Sequence, residues 1–227
     1  MKTHAATLAL MSALFFAGCG SNDDGSPTGN PSPSPTGMSF FVSSATNDTG
    51  NLGGLRAADA RCQSLATAAG AGSRTWRAYL SVERDADNSN QPANARDRIG
   101  SGPWFNARGA MVASSVNELH ARRGDATVFV DERGQMINGQ WPGSPRPVEH
   151  DVLTGSTADG RLLAGMTCSD WTSGAGDIAA QVGHSDGLGP NGDASGSLSS
   201  WSSAHSSQSC ADTAPRGGAG RIYCFAR

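Results

Sequence analysis

Beyond Lys2 this chain has no lysine, so every other basic side chain is an arginine. We read that as the codon habit of a GC-rich genome. The arginines are dispersed, with only Arg122 and Arg123 adjacent, and 17 basic against 20 acidic residues leave a formal net charge of −3. A nucleic-acid or polyanion surface needs many cations on one face, and no such cluster exists, so no nucleic-acid partner is expected. Long apolar runs are missing too. The longest, Ala5 to Phe16, falls short of the roughly 20 residues that a bilayer-spanning helix requires. Aromatics make up only 6% of the chain while glycine occurs 30 times, a balance that implies many turns and loops and excludes a helical bundle. Spare thiols are scarce as well: of five cysteines, Cys19 stands alone near the start, and Cys62, Cys168, Cys210 and Cys224 lie far downstream. An even set of four in an oxidising compartment reads as two disulfides. With the thiols used up and no Ser-His-Asp string in view, no enzyme chemistry is expected.

Lys2 and the short apolar run have the charge and length of a secretory signal. Phe16-Ala17-Gly18-Cys19 resembles the end of a bacterial lipoprotein signal, with Phe16 where Leu is usual. That resemblance implies a signal over 1–18 and acylation of Cys19, which becomes the new N-terminus. Gly20 in place of Asp resembles the sorting pattern for an outer membrane. Between Cys19 and Met38, residues 20–37 are all Gly, Ser, Asn, Asp, Thr or Pro, with nothing to bury, and 19–38 reads as an unfolded linker. Extended at about 3 Å per residue, it reaches at most roughly 55 Å.

The remaining 39–227 has the length of one domain with a core of its own. Ser39-Phe40-Phe41-Val42 predicts a strand. Leu55, Ala58, Cys62, Leu65, Ala66 and Ala69 recur at helical spacing, and Gly70 and Gly72 end that helix. Thr75 to Ser81 alternates large and small residues as a strand does, and Asp85 to Asn94 reads as a polar loop. Ser115 and Glu118 have capping-box spacing for a short helix near 116–122. Residues 127–130 and 135–138 around Gly134 give a hairpin signal. Val152-Leu153-Thr154 is a further strand, Gly183 to Ser197 a long loop, and strand-like pieces near Leu198–Trp201 and Ile222–Phe225 close the chain.

Several of these strings, in order, resemble the C-type-lectin-like domains of the collagen XV/XVIII endostatin type. They are Gly53-Gly54-Leu55 with Ala58-Asp59 and Cys62; Thr75 to Ser81; Arg96-Asp97-Arg98; Leu153-Thr154-Gly155-Ser156 with Asp159-Gly160-Arg161-Leu162; Cys168-Ser169-Asp170-Trp171-Thr172; Ser200-Trp201-Ser202; Cys210; and Arg221-Ile222-Tyr223-Cys224-Phe225. The resemblance implies an α+β fold, with two helices packed on mixed, mostly antiparallel sheets and long loops. It also implies nested disulfides, Cys62–Cys224 and Cys168–Cys210, where the sequence by itself permits three pairings.

Calcium-dependent sugar binding in this fold uses a Glu/Gln-Pro-Asn/Asp triplet and Trp-Asn-Asp. Gln91-Pro92-Ala93 and Trp201-Ser202-Ser203 depart from both and lack the oxygens a hard cation needs. The N-terminal histidine zinc site of animal endostatins has no counterpart, because the first strands contain no histidine. His184, Asp186, Asp193 and His205 are weak candidates for a metal on the long loop, but their spacing fits no known pattern, so loop hydrogen bonding is the expected role and neither metal nor cofactor is assigned. Trp104 and Trp141, flanked by Gly and Pro, are the aromatic candidates for ligand contact, although a domain short of large residues favours both as core plugs. The expected function is a membrane-tethered adhesive domain at an outer membrane or cell surface, taking a protein or glycan ligand. A structural envelope protein and an extracellular hydrolase are the alternatives.

Overall fold

The computed structural model describes Met1 and residues 37–227. The signal segment, Cys19 and nearly all of the linker lie outside the described residues.

The strand β10 (Gly218–Ala226) organises the domain. β1 (Phe40–Val42) pairs with it antiparallel, Phe40 opposite Phe225. β2 (Trp76–Ala78) also pairs antiparallel, Ala78 opposite Cys224. β7 (Asp151–Leu153) runs parallel, Leu153 opposite Ile222, and is followed across the sheet by β8 (Gln181–His184) and β9 (His205–Ser206), each antiparallel to its neighbour. Two hairpins stand apart from this six-stranded sheet: β3 (Val82–Asp85) with β4 (Gln91–Ala93), and β5 (Trp104–Phe105) with β6 (Met111–Ala113).

Both faces of the sheet are covered, so β1 and the end of β10, residues 222–226, run apolar without alternating with polar residues. Successive side chains point to opposite faces. Phe41, Ile222 and Cys224 therefore join Leu80, Leu153, Val182 and Trp76 on one side, under α1 (Leu55–Ala68). Phe40, Val42, Tyr223 and Phe225 join Tyr79, Phe129, Trp104 and Trp201 on the other. The few aromatics of the chain are concentrated in this second layer. Trp201 lies 4.7 Å from Tyr79 and 5.1 Å from Tyr223, ring centre to ring centre, close enough to add edge and offset contacts to the area they bury.

Polar ties hold the layers in register. Asp59, on the buried side of α1, accepts hydrogen bonds from Arg77 (3.0 Å), Arg98 (2.7 Å) and the backbone N–H of Ala78 (2.8 Å). Cys62 on the same helix is bonded to Cys224 on β10, and Cys168 to Cys210. These are the nested pairs that the resemblance implies, and two disulfides are the mark of an oxidising, extracytoplasmic compartment. No helix among the described residues is long and apolar enough to cross a membrane.

The predicted helices are present, as α1 and α2 (Val116–Ala121). Ser115 accepts from the N–H of Glu118, and the Glu118 carboxylate accepts in return from the N–H of Ser114, so the capping box closes one residue earlier than its spacing suggests. Other expectations need correction. The loop over 85–94 is a hairpin. The hairpin around Gly134 is a tight turn with a single bridge, Val130 to Met136, because the Asp131 carboxylate takes the N–H groups of Arg133 and Gln135 in place of a ladder. The piece near Leu198–Trp201 is a short 3-10 turn, Gly196–Ser199, followed by the buried ring of Trp201.

Candidate functional site

β7, β8 and β9 carry the polar exception to this core. Asp151 faces His184 across the β7–β8 pair, and His205 faces Val182 across the β8–β9 pair. Directly opposed residues share a face, as do residues two apart on one strand. The register alone therefore puts Asp151, His184 and His205 side by side. His150, at the head of β7, lays its ring parallel to that of His184 at 4.3 Å.

The hydrogen bonds fix each imidazole. The Nδ1 of His150 lies 2.7 Å from Asp186 Oδ1, that of His184 2.9 Å from the carbonyl of Leu198, and that of His205 2.9 Å from the carbonyl of Ser206. Carbonyl and carboxylate oxygens only accept, so all three Nδ1 atoms donate, and in the neutral ring Nε2 is then a bare lone pair. All three Nε2 atoms face Asp151: His150 and His184 at 3.3 Å from Oδ1, His205 at 3.6 Å from Oδ2. The Nε2 atoms of His184 and His205 are themselves 2.9 Å apart. Asp186 also accepts the N–H groups of Gln140 (2.7 Å) and Leu188 (3.0 Å). Burial pushes its carboxyl upward, but the His150 hydrogen bond and these two N–H groups outweigh it and hold the group below the usual carboxylate range.

The cluster lies under an open pocket of about 720 Å³. His150 and His184 are buried at its floor, while His205 is 28% exposed. Arg146 and Arg216 stand exposed among its lining residues, and Arg216 bonds the carbonyl of Ser206 (3.1 Å) that also receives His205. No Asp or Glu lines this pocket. Its volume falls in the range of small-ligand sites.

Of the sequence candidates, the structure brings His184, His205 and Asp186 together. Asp193 stays apart, exposed and occupied with the N–H of Ser195 at 2.9 Å. Two members went unseen, His150 and Asp151. The dipeptide heads a recognisable strand, but its partner β8 was read as the start of a loop, and without β8 nothing sets Asp151 opposite His184. Trp104, offered as a ligand-contact candidate, is instead the core plug that a domain short of large side chains favours: it is 1% exposed, on β5, packed edge-on against Phe225 at 5.4 Å. Gly102 and Pro103 deliver the chain into that strand; they do not present the ring to solvent. Trp141 is half-buried, its indole N–H bonded to the carbonyl of Ile137 (2.8 Å), and it lines a neighbouring groove with Arg122, Arg123 and Leu188.

Set beside known proteins, the chain matches no protein-family model and no curated protein.

Proposed function

We propose that this chain is an extracytoplasmic, lipid-anchored binding module. In this reading a C-type-lectin-like domain of the endostatin type is held off a membrane by acylated Cys19 and the 19–38 linker. Its ligand is a protein or glycan bearing anionic groups, which enter the pocket above His150, His184 and His205. The observation that carries the reading is the character of that pocket. In a chain with more acidic than basic residues, its exposed rim carries two arginines and its lining no carboxylate. Complementary charge of this kind steers and orients a ligand. A purely structural envelope protein needs no such concavity, which places binding ahead of that alternative.

The test is a glycan and matrix-protein array probed with the full chain, disulfides oxidised. Saturable binding to carboxylated, sulfated or phosphorylated members is expected, weakening as salt rises. The double variant R146A/R216A should lower that binding several-fold and leave the unfolding midpoint unchanged, because both side chains are exposed. Equal binding to neutral and acidic members would sink the anionic reading. Binding to none would favour the structural role.

A further inference from the structure

We propose that His150, Asp151, His184 and His205 bind one divalent first-row transition ion of the zinc type, a site that goes beyond the anion-binding reading and stands without it.

The argument begins with Asp151. Both of its carboxylate oxygens are buried, and neither has a hydrogen-bond partner. An ionised carboxylate left so is among the costliest groups a protein interior can hold. What surrounds it makes matters worse. Three Nε2 lone pairs are turned toward it, because each Nδ1 hydrogen is already committed to Asp186, Leu198 or Ser206. The His184 and His205 lone pairs also face each other across 2.9 Å. Four acceptors converging in a buried space repel one another unless a cation lies between them.

Donor spacing and donor chemistry identify that cation. Ligands held tetrahedrally at about 2.0–2.1 Å from an ion stand about 3.3 Å from one another. The His150 and His184 Nε2 atoms each stand 3.3 Å from Asp151 Oδ1, at that value, while His205 lies 2.9 Å from His184 and 3.6 Å from Oδ2. Among the described residues, His150, Asp151 and His184 form the one group whose donor atoms all lie within 4.8 Å of one another. His205 stands outside that group, at its edge, and its partly exposed ring must turn inward to complete the set. Three imidazole nitrogens and one carboxylate oxygen suit zinc and its neighbours, whereas calcium and magnesium take oxygen ligands. The outer partners fit as well. Ligating imidazoles ordinarily pass their second N–H to a carboxylate or carbonyl, which fixes the ring and strengthens the donor, and all three rings do so. The partly exposed His205 and the pocket above it supply an entry path.

The decisive experiment uses the full chain, untagged and oxidised, stripped with chelator and titrated with Co2+ and then Zn2+. The intense visible absorption of tetrahedral cobalt should saturate at a single equivalent, disappear on adding Zn2+ and persist in excess Ca2+. H205A removes a ligand from the short edge strand β9 and should weaken Zn2+ binding about 100-fold or more. D186N leaves every ligand in place and should weaken it about 10- to 100-fold through loss of the His150 partner. D193A should change nothing. If the stripped wild-type chain shows no tetrahedral cobalt spectrum, the proposal is overturned. A spectrum that persists unchanged in the H184Q/H205A double variant would overturn it equally, by moving the ion to His4 or His120.

Discussion

His120 joins α2 to the aromatic layer. Its Nδ1 donates to the carbonyl of Val116 at 2.7 Å, so its Nε2, 2.7 Å from the Tyr79 hydroxyl, accepts. Burial lowers the ring's pKa below 6.5, overcoming the opposing pull of the Val116 bond. The unfolded chain therefore takes up this proton at a higher pH than the native protein does. Stability from this source is complete above the unfolded value of about 6.5 and declines as the pH falls toward the lower native value. The melting temperature of the wild type should drop across that window more steeply than that of H120Q; equal slopes would remove His120 from the account. Individual residues were legible in the sequence where covalent or periodic constraints fix them. The four paired cysteines and the buried Ala58, Cys62 and Ala66 of α1 are of this kind. Trp104 was not, because a ring beside Gly and Pro looks the same in sequence whether its strand turns it inward or outward.

Among the elements, the turn Cys168–Trp171 is the most unusual. All four residues have positive φ, from 49° to 66°, and none is glycine. A left-handed conformation costs about 1–2 kcal/mol per such residue, so the surroundings must hold it. Trp171 is fully buried and bonds the carbonyl of Ser81 through its indole N–H (2.9 Å), Thr167 accepts from the N–H of Asp170, and Cys168 is tied to Cys210. A loop of 42 residues closed by that bond accounts for about 4 kcal/mol in the chain-entropy picture. The variant C168A/C210A should lose about that much in urea unfolding, and hydrogen exchange should quicken at 168–173 before it does in α1. A loss below about 1 kcal/mol would show that Trp171 alone holds the turn. The same scale explains why the candidate site was half legible. Gly183, Ser185, Asp186 and Gly187 look like turn formers, so β8 reads as a loop. Yet Gly183 belongs to the strand because the carbonyl of Trp201 occupies the space that a Cβ there would need. A glycine kept for close approach and a glycine kept for a turn are indistinguishable without the partner that approaches.

At the scale of the whole molecule, the resemblance carried by the ordered strings implied a mixed α+β domain and the cysteine count implied two disulfides, and both are present. The strand order around β10 was not legible, because non-local pairing leaves little local trace. The proposed membrane anchor turns on the count of cysteines. Cys62, Cys168, Cys210 and Cys224 consume each other, so Cys19 is the remaining cysteine of five. In an oxidising compartment an accessible thiolate attacks neighbouring disulfides and reshuffles them. The thioether proposed at Cys19 would remove that hazard and supply the tether together. Protein isolated from its own envelope should therefore show no titratable thiol under denaturing, non-reducing conditions and should partition with detergent. C19S should move to the aqueous phase with an unchanged unfolding midpoint, because the proposed linker sets residue 19 outside the folded domain. A wild-type chain that stays aqueous and yields one thiol per molecule would dispose of the anchor while leaving the domain, its pocket and its buried histidines as they are.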